Sequence, residues 1–321
     1  MAERILVTGA SGFVGGHLIA RLSAQSAVSV RGAVRTKPAD ERSELVAVGE
    51  INESTDWSEV LQGRRVVVHT AARAHIMDDA VADPLTEFRS VNVVGTLNLA
   101  RQAAEAGVKR FIFISSIKVN GEQTLPGKPF TVADKPAPED SYGVSKMEAE
   151  QGLLSIASET DMELVIIRPP LVYGPGVKGN FASMTKLVGK GIPLPLGAIN
   201  NRRSLVGLDN LVDLILTCID HPGAANQTFL AGDGEDLSTS ELLRRVAKAM
   251  GKPSRLIPVP AGLLRFGAAL LGRRAVGQRL LGSLQVDISS TRERLGWAPP
   301  LSVDDGLKRC FEVDRPCRQR Y

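Results

Sequence analysis

The chain has 321 residues, 43% of them hydrophobic and 23% charged, with a formal net charge of +4. This composition excludes disordered and fibrous proteins, and the length allows one large α/β domain or two unequal lobes. The arginines occur throughout the chain, so the net charge does not indicate a nucleic-acid-binding face and fits an anionic small substrate equally well.

Five short β-branched runs alternate with helical patterns over the first 115 residues, as a parallel sheet of βαβ units requires. The predicted strands are RILVTGA (4–10), VSVRGAV (28–34), LVAVGEI (45–51), RVVVHTA (65–71) and RFIFISS (110–116). A helix is predicted over 85–107, with Gly107 as its C-cap. Another is predicted to begin near Tyr142, and MELVIIRPP (162–170) supplies a sixth strand.

Beyond residue 170 the sequence is richer in Gly and Pro. The segment 202–221 predicts a strand followed by a helix, and 227–251 predicts a strand, a turn and a helix capped by Ser238 or Thr239. The predicted fold is a doubly wound Rossmann-type α/β parallel sheet with a smaller C-terminal α/β substrate-binding lobe. The dinucleotide-binding domain is predicted to comprise 1–168 and about 203–222, and the substrate lobe 169–202 and 223–321.

The three cysteines, Cys218, Cys310 and Cys317, match no zinc or redox spacing, and four scattered histidines add no metal site. We therefore expect no metal and a reducing, cytoplasmic location, since the first residues also lack a signal-peptide pattern. The apolar stretch 261–284 is interrupted by four arginines, so it cannot span a bilayer. It is either an amphipathic helix on a membrane surface or a helix packed on the small lobe.

A glycine motif follows the first strand and opens a helix. Glycines at G-x-x-G-x-x-G spacing permit a tight turn, close approach of a pyrophosphate and packing of the helix on the sheet. This position favours a dinucleotide-binding loop over an ordinary Gly-rich turn. The predicted cofactor contacts in this loop are Gly9, Ser11, Gly12, Phe13, Val14 and Gly15.

The end of the second strand bears on the choice between NAD and NADP. An acid there would bind the ribose 2′-hydroxyl of NAD, whereas an arginine would bind the 2′-phosphate of NADP. The strand is followed by Arg35 and has no acid, which favours NADP(H), with NAD(H) as the alternative. Glu50 and Ile51, after the third strand, are candidate adenine contacts.

A tyrosine and a lysine stand four residues apart in DSYGVSK (140–146). Positions i and i+4 share one helix face, so Tyr142 and Lys146 can point into one cleft. A lysine ammonium beside a phenol lowers its pKa and suits it for proton transfer. Such a pair alone is also typical of a solvated helix face, but Ser115 and Ser116 end the fifth strand and can supply a second hydroxyl.

Several motifs in a fixed order resemble the extended short-chain dehydrogenase/reductase family, in particular its NAD-dependent epimerase/dehydratase branch acting on nucleotide sugars. They extend over nearly the whole chain: TGASGFVG, VVVHTAA, NVVGTLNLA, FIFISSIKVNG, YGVSK, IIRPPLVYGPG, RRSLVGLDNLVD and ERLGWAPPLSVDDGL. The resemblance implies Tyr142 as acid/base, Lys146 as its activator and a ligand of the nicotinamide ribose, and Ser116 as second donor to the reacting oxygen.

The resemblance also implies contacts around these three residues. Asn92 would support them, Ala71 and Ala72 would line the cofactor, and Pro169 to Leu171 would border the nicotinamide. A UDP-linked sugar is the implied substrate, and its implied or candidate contacts are Ser116, Lys118, Asn180, Phe181, Arg203 and Arg279. Lys118 and Asn120 depart from the family pattern, which alters the pocket, and SIKVNGE lacks the acid cluster that a dehydratase uses.

Two enzymatic hypotheses remain, and both move a hydride at sugar C4. The favoured one is a ketoreductase that reduces UDP-4-keto-6-deoxy-N-acetylhexosamine, for example to UDP-N-acetylquinovosamine, in surface-polysaccharide (O-antigen or lipopolysaccharide) biosynthesis. The alternative is a UDP-hexose or UDP-N-acetylhexosamine 4-epimerase with resident NAD. A regulatory protein that binds dinucleotide without turnover is a minor alternative, because Ser116, Tyr142 and Lys146 are all present. The resemblance further implies a homodimer.

Overall fold

Short, almost fully buried strands form the centre of the molecule. The structure is a computed structural model that describes residues 3–36, 44–74, 83–125, 127–272 and 274–312, without the side chains of Asn180, Arg274 and Ala275. The strands are β1 (Glu3–Thr8), β2 (Val28–Val34), β3 (Leu45–Ala47), β4 (Val66–His69), β5 (Arg110–Ile114), β6 (Glu163–Arg168), β7 (Leu171–Tyr173), β8 (Arg203–Gly207), β9 (Gln227–Leu230) and β10 (Asp236–Leu237).

Twelve α-helices connect or cover these strands within the described ranges. They are α1 (Phe13–Ser23), α2 (Ser58–Leu61), α3 (Pro84–Arg89), α4 (Thr96–Glu105), α5 (Ser141–Ser158), α6 (Asn180–Gly189), α7 (Leu208–Asp220), α8 (Thr239–Ala249), α9 (Ala261–Leu270), α10 (Arg274–Leu281), α11 (Ser289–Leu295) and α12 (Val303–Arg309). No helix of the described part is both long and apolar enough to cross a membrane.

Seven strands form one parallel sheet in the order β3-β2-β1-β4-β5-β6-β9. The chain moves outward from β1 to β3 and then returns to place β4 on the other side of β1. Strand connections therefore diverge between β1 and β4, which leaves a crevice at their carboxyl ends where ligands of such sheets bind. This architecture confirms the doubly wound α/β fold predicted from the sequence.

Alternating side chains fill two cores, one on each face of the sheet. Ile5 and Val7 pack on the α1 and α7 side, whereas Leu6 packs on the α4 and α5 side. Because side chains alternate along a strand and both faces are covered, the central strands read as continuous apolar runs. Phe111 and Phe113 of β5 share the core with Leu6.

The helix predicted over 85–107 is interrupted. It consists of α3, a π-helical segment at Ser90–Gly95, and α4. The interruption brings Gly95 against Ile51, where a β-carbon on the glycine would lie 2.7 Å from the isoleucine Cγ2. A π-segment is frequent at functional sites, and this one carries Asn92.

A second, three-stranded sheet is formed by β10, β8 and β7. The strand predicted at 227–230 was assigned to the small lobe, and that assignment is wrong because β9 pairs with β6 as the edge of the main sheet. Conversely, β8 pairs outside the main sheet, although α7 after it packs on the main core. These pairings could not be predicted from the sequence, because the residues of a single strand do not specify which strand lies beside it.

The structure shows the state of two cysteines and the distribution of possible metal ligands. Cys218 and Cys310 are free thiols, and Cys317 lies outside the described residues. Over the described ranges, no three His, Cys, Asp or Glu side chains converge as metal ligands.

A histidine is buried where β4 ends. His69 is 1% exposed, its Nδ1 lies 2.6 Å from the Thr8 hydroxyl, and its Nε2 lies 2.9 Å from the Thr96 hydroxyl. Its ring stacks on Phe113 at a centroid distance of 5.9 Å. Burial, and secondarily the positive charge of Lys146, lowers the pKa of His69 to about 3. The folded protein therefore holds this imidazole neutral.

We expect acid to destabilise the fold through His69. Between its unfolded pKa of about 6.5 and its folded pKa of about 3, the unfolded chain binds the extra proton, so stability falls as pH falls. The His69 contribution to this loss is about 2 kcal/mol between about pH 7.5 and pH 5. Urea unfolding at both pH values should show this loss in the wild type and not in His69→Gln. An equal loss in both proteins would contradict the assignment.

Candidate active site

The loop between β1 and α1 is shaped for close approach of a ligand backbone or phosphate. Gly9 has φ +67°, and a β-carbon on Gly15 would lie 2.2 Å from the Gly9 carbonyl oxygen, so neither position tolerates a side chain without distortion. Gly12 caps α1 without a side-chain hydrogen bond, and the first turn of α1 has no acid. The amides at this helix end can therefore bind an anion.

The neighbouring residues of the loop complete this arrangement. Ser11 and Gly12 are exposed, whereas Phe13 and Val14 are half-buried against the main core. The Gly12 N–H donates to the Gly9 carbonyl at 2.8 Å and closes the turn, so the loop presents exposed residues at the start of α1, where a dinucleotide pyrophosphate can approach.

Arg35 and Glu50 meet at the ends of β2 and β3. The guanidinium lies 3.4 Å from the carboxylate, and the two side chains are 75% and 67% exposed. The sequence analysis did not predict this ion pair, because the two residues are fifteen positions apart and become neighbours only through the parallel pairing of β2 and β3. An acid therefore stands beside the arginine that favoured NADP(H).

Asn92 connects the end of β4 to the tyrosine helix. Its amide oxygen accepts from the Arg73 backbone N–H at 2.8 Å, and its amide nitrogen donates to the Ser145 hydroxyl at 3.0 Å. Ser145 in turn donates to the Tyr142 carbonyl at 2.8 Å. Asn92 is 1% exposed, and these bonds connect α5 to the segment that follows β4; its role in supporting the catalytic residues stays a prediction.

Ser116 and Tyr142 lie on adjoining elements. Ser116 begins a single 3₁₀ turn (Ile117–Val119) after β5, and Asp140 caps α5 by accepting from the Gly143 N–H at 2.7 Å. A β-carbon on Gly143 would lie 2.8 Å from the Lys118 carbonyl oxygen. The turn after Ser116 therefore packs directly on the first turn of the tyrosine helix.

Lys118 connects the turn after Ser116 to the start of α5. Its ammonium donates to Asp140 and, at 2.8 Å, to Glu122. These two carboxylates outweigh burial and raise the pKa of Lys118, although burial is the largest single influence. The residue predicted to contact substrate is thus held by two acids of its own chain.

Lys146 is 2% exposed and lies one turn after Tyr142. Its ammonium donates to the Ile114 carbonyl at 2.9 Å and lies 4.4 Å from the centre of the Phe113 ring. Burial lowers the pKa of Lys146 to about 7, against the opposing influence of Glu150. The side chain can therefore change its charge near neutral pH.

Tyr142 differs from the expectation that its lysine lowers its pKa. Burial first, and the negative charge of Asp140 second, raise the pKa of Tyr142 above its usual range. The ring also packs edge-on against Phe88 at 5.9 Å. In this state the phenol keeps its proton. The sequence analysis considered the effect of the lysine on the tyrosine pKa. It did not consider the opposite effects of burial and of Asp140, which caps the helix.

A buried charged pair beneath the site was also missed. Glu150 accepts from the Arg168 Nε at 2.9 Å and NH2 at 2.5 Å, and from the Ser115 hydroxyl at 2.5 Å. Arg168 also donates to the Asn120 amide oxygen at 2.9 Å. The spacing of the sequence could have indicated Glu150, because it lies four residues after Lys146 and therefore on the same helix face as Tyr142 and Lys146.

The predicted substrate residues divide into two groups. Phe181 is 2% exposed and stacks on Tyr173 at 5.7 Å, so its side chain belongs to the core of the small lobe, and its predicted place near the nucleotide stays a prediction. Burial of the apolar Phe181 ring among other apolar side chains is favourable and accounts for this position. Asn180 begins α6, and its side chain lies outside the description.

The two arginines lie together. The Arg203 guanidinium donates to the carbonyls of Arg279 and Gly282, both at 3.1 Å, and burial lowers the pKa of Arg203. The nearby Glu122 acts in the opposite direction on that pKa, which places Arg203 on the Lys118 side of the molecule. The Arg279 side chain is exposed.

The predicted nicotinamide border follows β6. The Pro169 carbonyl accepts from the Ile117 N–H at 3.0 Å, so this segment lies beside the turn after Ser116. Leu171 is 38% exposed. The carboxyl ends of β1, β4, β5 and β6 thus bring together the glycine loop, Ala71, Ser116 and Pro169.

Comparisons with known proteins agree with this geometry. The model of the NAD dependent epimerase/dehydratase family matches residues 5–232. A UDP-glucose 4-epimerase from Vibrio cholerae is 55% identical, with 98% of this chain and 96% of that protein covered. An Escherichia coli O157:H7 relative named N-acetyl-alpha-D-glucosaminyl-diphospho-ditrans,octacis-undecaprenol 4-epimerase is 28% identical, with 98% and 96% covered.

A solved structure extends the likeness to three dimensions. A short-chain dehydrogenase/reductase superfamily protein from Agrobacterium tumefaciens, with bound NAD, has a TM-score of 0.77 and 25% identity, with 96% of each chain covered. The family match over residues 5–232 and the 55% identity over nearly the whole chain lead to one conclusion. The chain is an enzyme of the NAD-dependent epimerase/dehydratase family.

Proposed function

We propose that the protein is a UDP-hexose 4-epimerase that uses NAD. The observation that carries the proposal is the 55% identity to a UDP-glucose 4-epimerase over nearly the full length of both chains. The ketoreductase that the sequence analysis favoured has less support, because the relatives favour its epimerase alternative. A glycine loop with uncapped helix amides supports dinucleotide binding.

The proposed chemistry divides between cofactor and chain. NAD, held at the glycine loop between β1 and α1, would supply the acceptor and donor of the C4 hydride. Tyr142, in its phenolate form, would accept the proton of the C4 hydroxyl as the carbonyl forms and, as the resulting phenol, would give it back when the hydroxyl is restored. Because both transfers use one phenol, proton and hydride balance over a full turnover without an external reductant.

The neighbouring residues adjust that phenol. Burial favours the neutral phenol of Tyr142. The phenolate that accepts the substrate proton would therefore need a cation close by, and Lys146 lies one helical turn away. Its pKa of about 7 lets it carry that charge in a substantial fraction of molecules at neutral pH. Ser116 would hydrogen-bond the C4 oxygen, and Arg203 and Arg279 would bind the diphosphate.

The homodimer, the cytoplasmic location and the two-lobe division remain predictions. Use of a UDP-linked sugar as substrate can be tested directly by an activity assay.

We expect the purified protein to interconvert UDP-glucose and UDP-galactose without added reductant. The resident cofactor is regenerated in each cycle, so the equilibrium mixture should form from either sugar. Nuclear magnetic resonance of the anomeric protons measures both epimers. The matched comparison is UDP-4-keto-6-deoxy-N-acetylglucosamine with NADH or NADPH, followed at the nicotinamide absorbance. Stoichiometric oxidation there, with no epimer formed from UDP-glucose or UDP-N-acetylglucosamine, would replace the epimerase by the reductase.

Tyr142→Phe should lower kcat by about 10²- to 10⁴-fold, because it removes the proton carrier and keeps the ring. The ring contact with Phe88 is retained, so the thermal midpoint and cofactor binding should change little.

Tyr173→Phe is the matched control. It removes the same hydroxyl from a fully buried tyrosine whose partner is Asp233 at 2.7 Å. It should cost about 1–3 kcal/mol of stability, since Asp233 loses a donor, while turnover stays near wild type. Turnover of Tyr142→Phe within tenfold of wild type would remove Tyr142 from the mechanism.

We also expect NADH to bind more tightly than NADPH. The Glu50 carboxylate beside Arg35 would repel a 2′-phosphate and can bind a 2′-hydroxyl. Glu50→Gln should therefore improve NADPH binding several-fold, and Arg35→Ala should reverse that gain. Fluorescence titration of both reduced cofactors measures this. Tighter binding of NADPH to the wild type would restore the preference first inferred from Arg35.

A further inference from the structure

One helix of the small lobe has an apolar face that the described residues do not cover. No residue of α9 is buried. Leu263, Phe266 and Leu270 are 63%, 64% and 72% exposed, and Leu271 after the helix is 76% exposed. Contiguous exposed apolar residues of this size mark an interaction surface, whereas single ones are ordinary.

The three helical residues share one side of α9. Positions 263, 266 and 270 follow i, i+3, i+7 spacing, which places them along one stripe. On another side of the helix, Ala268 faces α10, because a β-carbon on Gly277 would lie 3.0 Å from its methyl group. The helix is therefore anchored by its small residues and presents its large ones outward. We call this face the α9 stripe, comprising Leu263, Phe266, Leu270 and Leu271.

The segment of sequence that carries the α9 stripe is basic. Residues 242–286 include nine Lys and Arg and no Asp or Glu, and of these Arg245 pairs with Glu235, Glu241 and Asp304 outside the segment. The remainder of the chain has 30 basic and 35 acidic residues, so the net positive charge arises in this segment. Arg265 and Arg279, on α9 and α10, are both exposed. Exposed leucines and a phenylalanine beside arginines, with no acid nearby in sequence, match the boundary between anionic headgroups and acyl chains.

The same charge argues against a second copy of the chain on this face. Two such segments brought together would oppose basic residues to basic residues, with no acid from either segment to pair them. An anionic bilayer supplies both the apolar layer and the opposite charge.

The α9 stripe is also connected to the candidate active site. Arg203 donates to the carbonyls of Arg279 and Gly282, at the end of α10, and Asn201 donates to the Gly282 carbonyl at 2.7 Å. The helix pair that bears the stripe is therefore fixed to the strand that bears a proposed substrate arginine.

We propose that the α9 stripe docks on an anionic lipid surface, with Leu263, Phe266 and Leu270 entering the headgroup boundary and Arg265 binding lipid phosphates. Docking holds the cleft beside the bilayer. It does not depend on the identity of the sugar substrate, so the two proposals can fail separately.

The test is flotation of the full chain with phosphatidylcholine vesicles, with and without phosphatidylglycerol, and no sugar substrate present. The wild type should bind the anionic vesicles more tightly than the neutral ones, and high salt should weaken that binding. Leu263→Ser/Phe266→Ser should lose at least about tenfold in affinity, since two large side chains no longer enter the boundary. Arg265→Gln should weaken binding about fivefold, on anionic vesicles alone.

Leu154→Ser is the matched control, because Leu154 is 55% exposed on α5, outside the basic segment. It should bind vesicles like the wild type. Each variant's thermal midpoint and turnover of a water-soluble UDP-hexose should be unchanged, which excludes misfolding. Vesicle binding that is absent, or equal in the double variant and the wild type, would overturn the proposal. So would a smaller assembly of the double variant in light scattering, which would make the stripe a subunit interface.

Discussion

Burial of the Lys146 ammonium is the constraint on which the rest of the site depends. A charged amine so deeply buried is costly unless it is neutralised or bonded. Here the Ile114 carbonyl, the Phe113 ring and the charge of Glu150 offset part of that cost, and the residual effect lowers the pKa of Lys146 to about 7. The lysine is therefore a group whose charge responds to what binds next to it.

Glu150 in turn requires its own partners. Its carboxylate is 3% exposed and is bonded by Arg168 and Ser115. Arg168 extends the chain of contacts to Asn120, in the turn that follows Ser116. Removing one member of such a pair leaves an uncompensated buried charge, which typically costs about 3–5 kcal/mol. The network thus holds α5, the end of β6 and the Ser116 turn in one arrangement beneath the reacting groups.

The sequence predicted those parts that depend on local pattern. The glycine loop and the strand–helix alternation are readable from spacing, and the structure contains both; it also carries Tyr142 and Lys146 one turn apart on α5. Pairing between distant segments was not readable: β9 joins the main sheet, Arg35 meets Glu50, and Phe181 lies in a core. Each of these outcomes depends on which elements become neighbours in space, and one-dimensional periodicity does not carry that information.

Asp140 illustrates how one side chain serves two opposed requirements. Its carboxylate caps α5 and so fixes where the helix that carries Tyr142 begins, but its charge, after burial, also raises the pKa of that phenol. Lys118 bonds the same carboxylate and is itself shared with Glu122. Lys118 therefore places a positive charge beside the capping acid next to the tyrosine. The residue that the sequence analysis proposed as a substrate contact is thus also part of the charge balance around Asp140, and through that carboxylate it is linked to the environment of Tyr142.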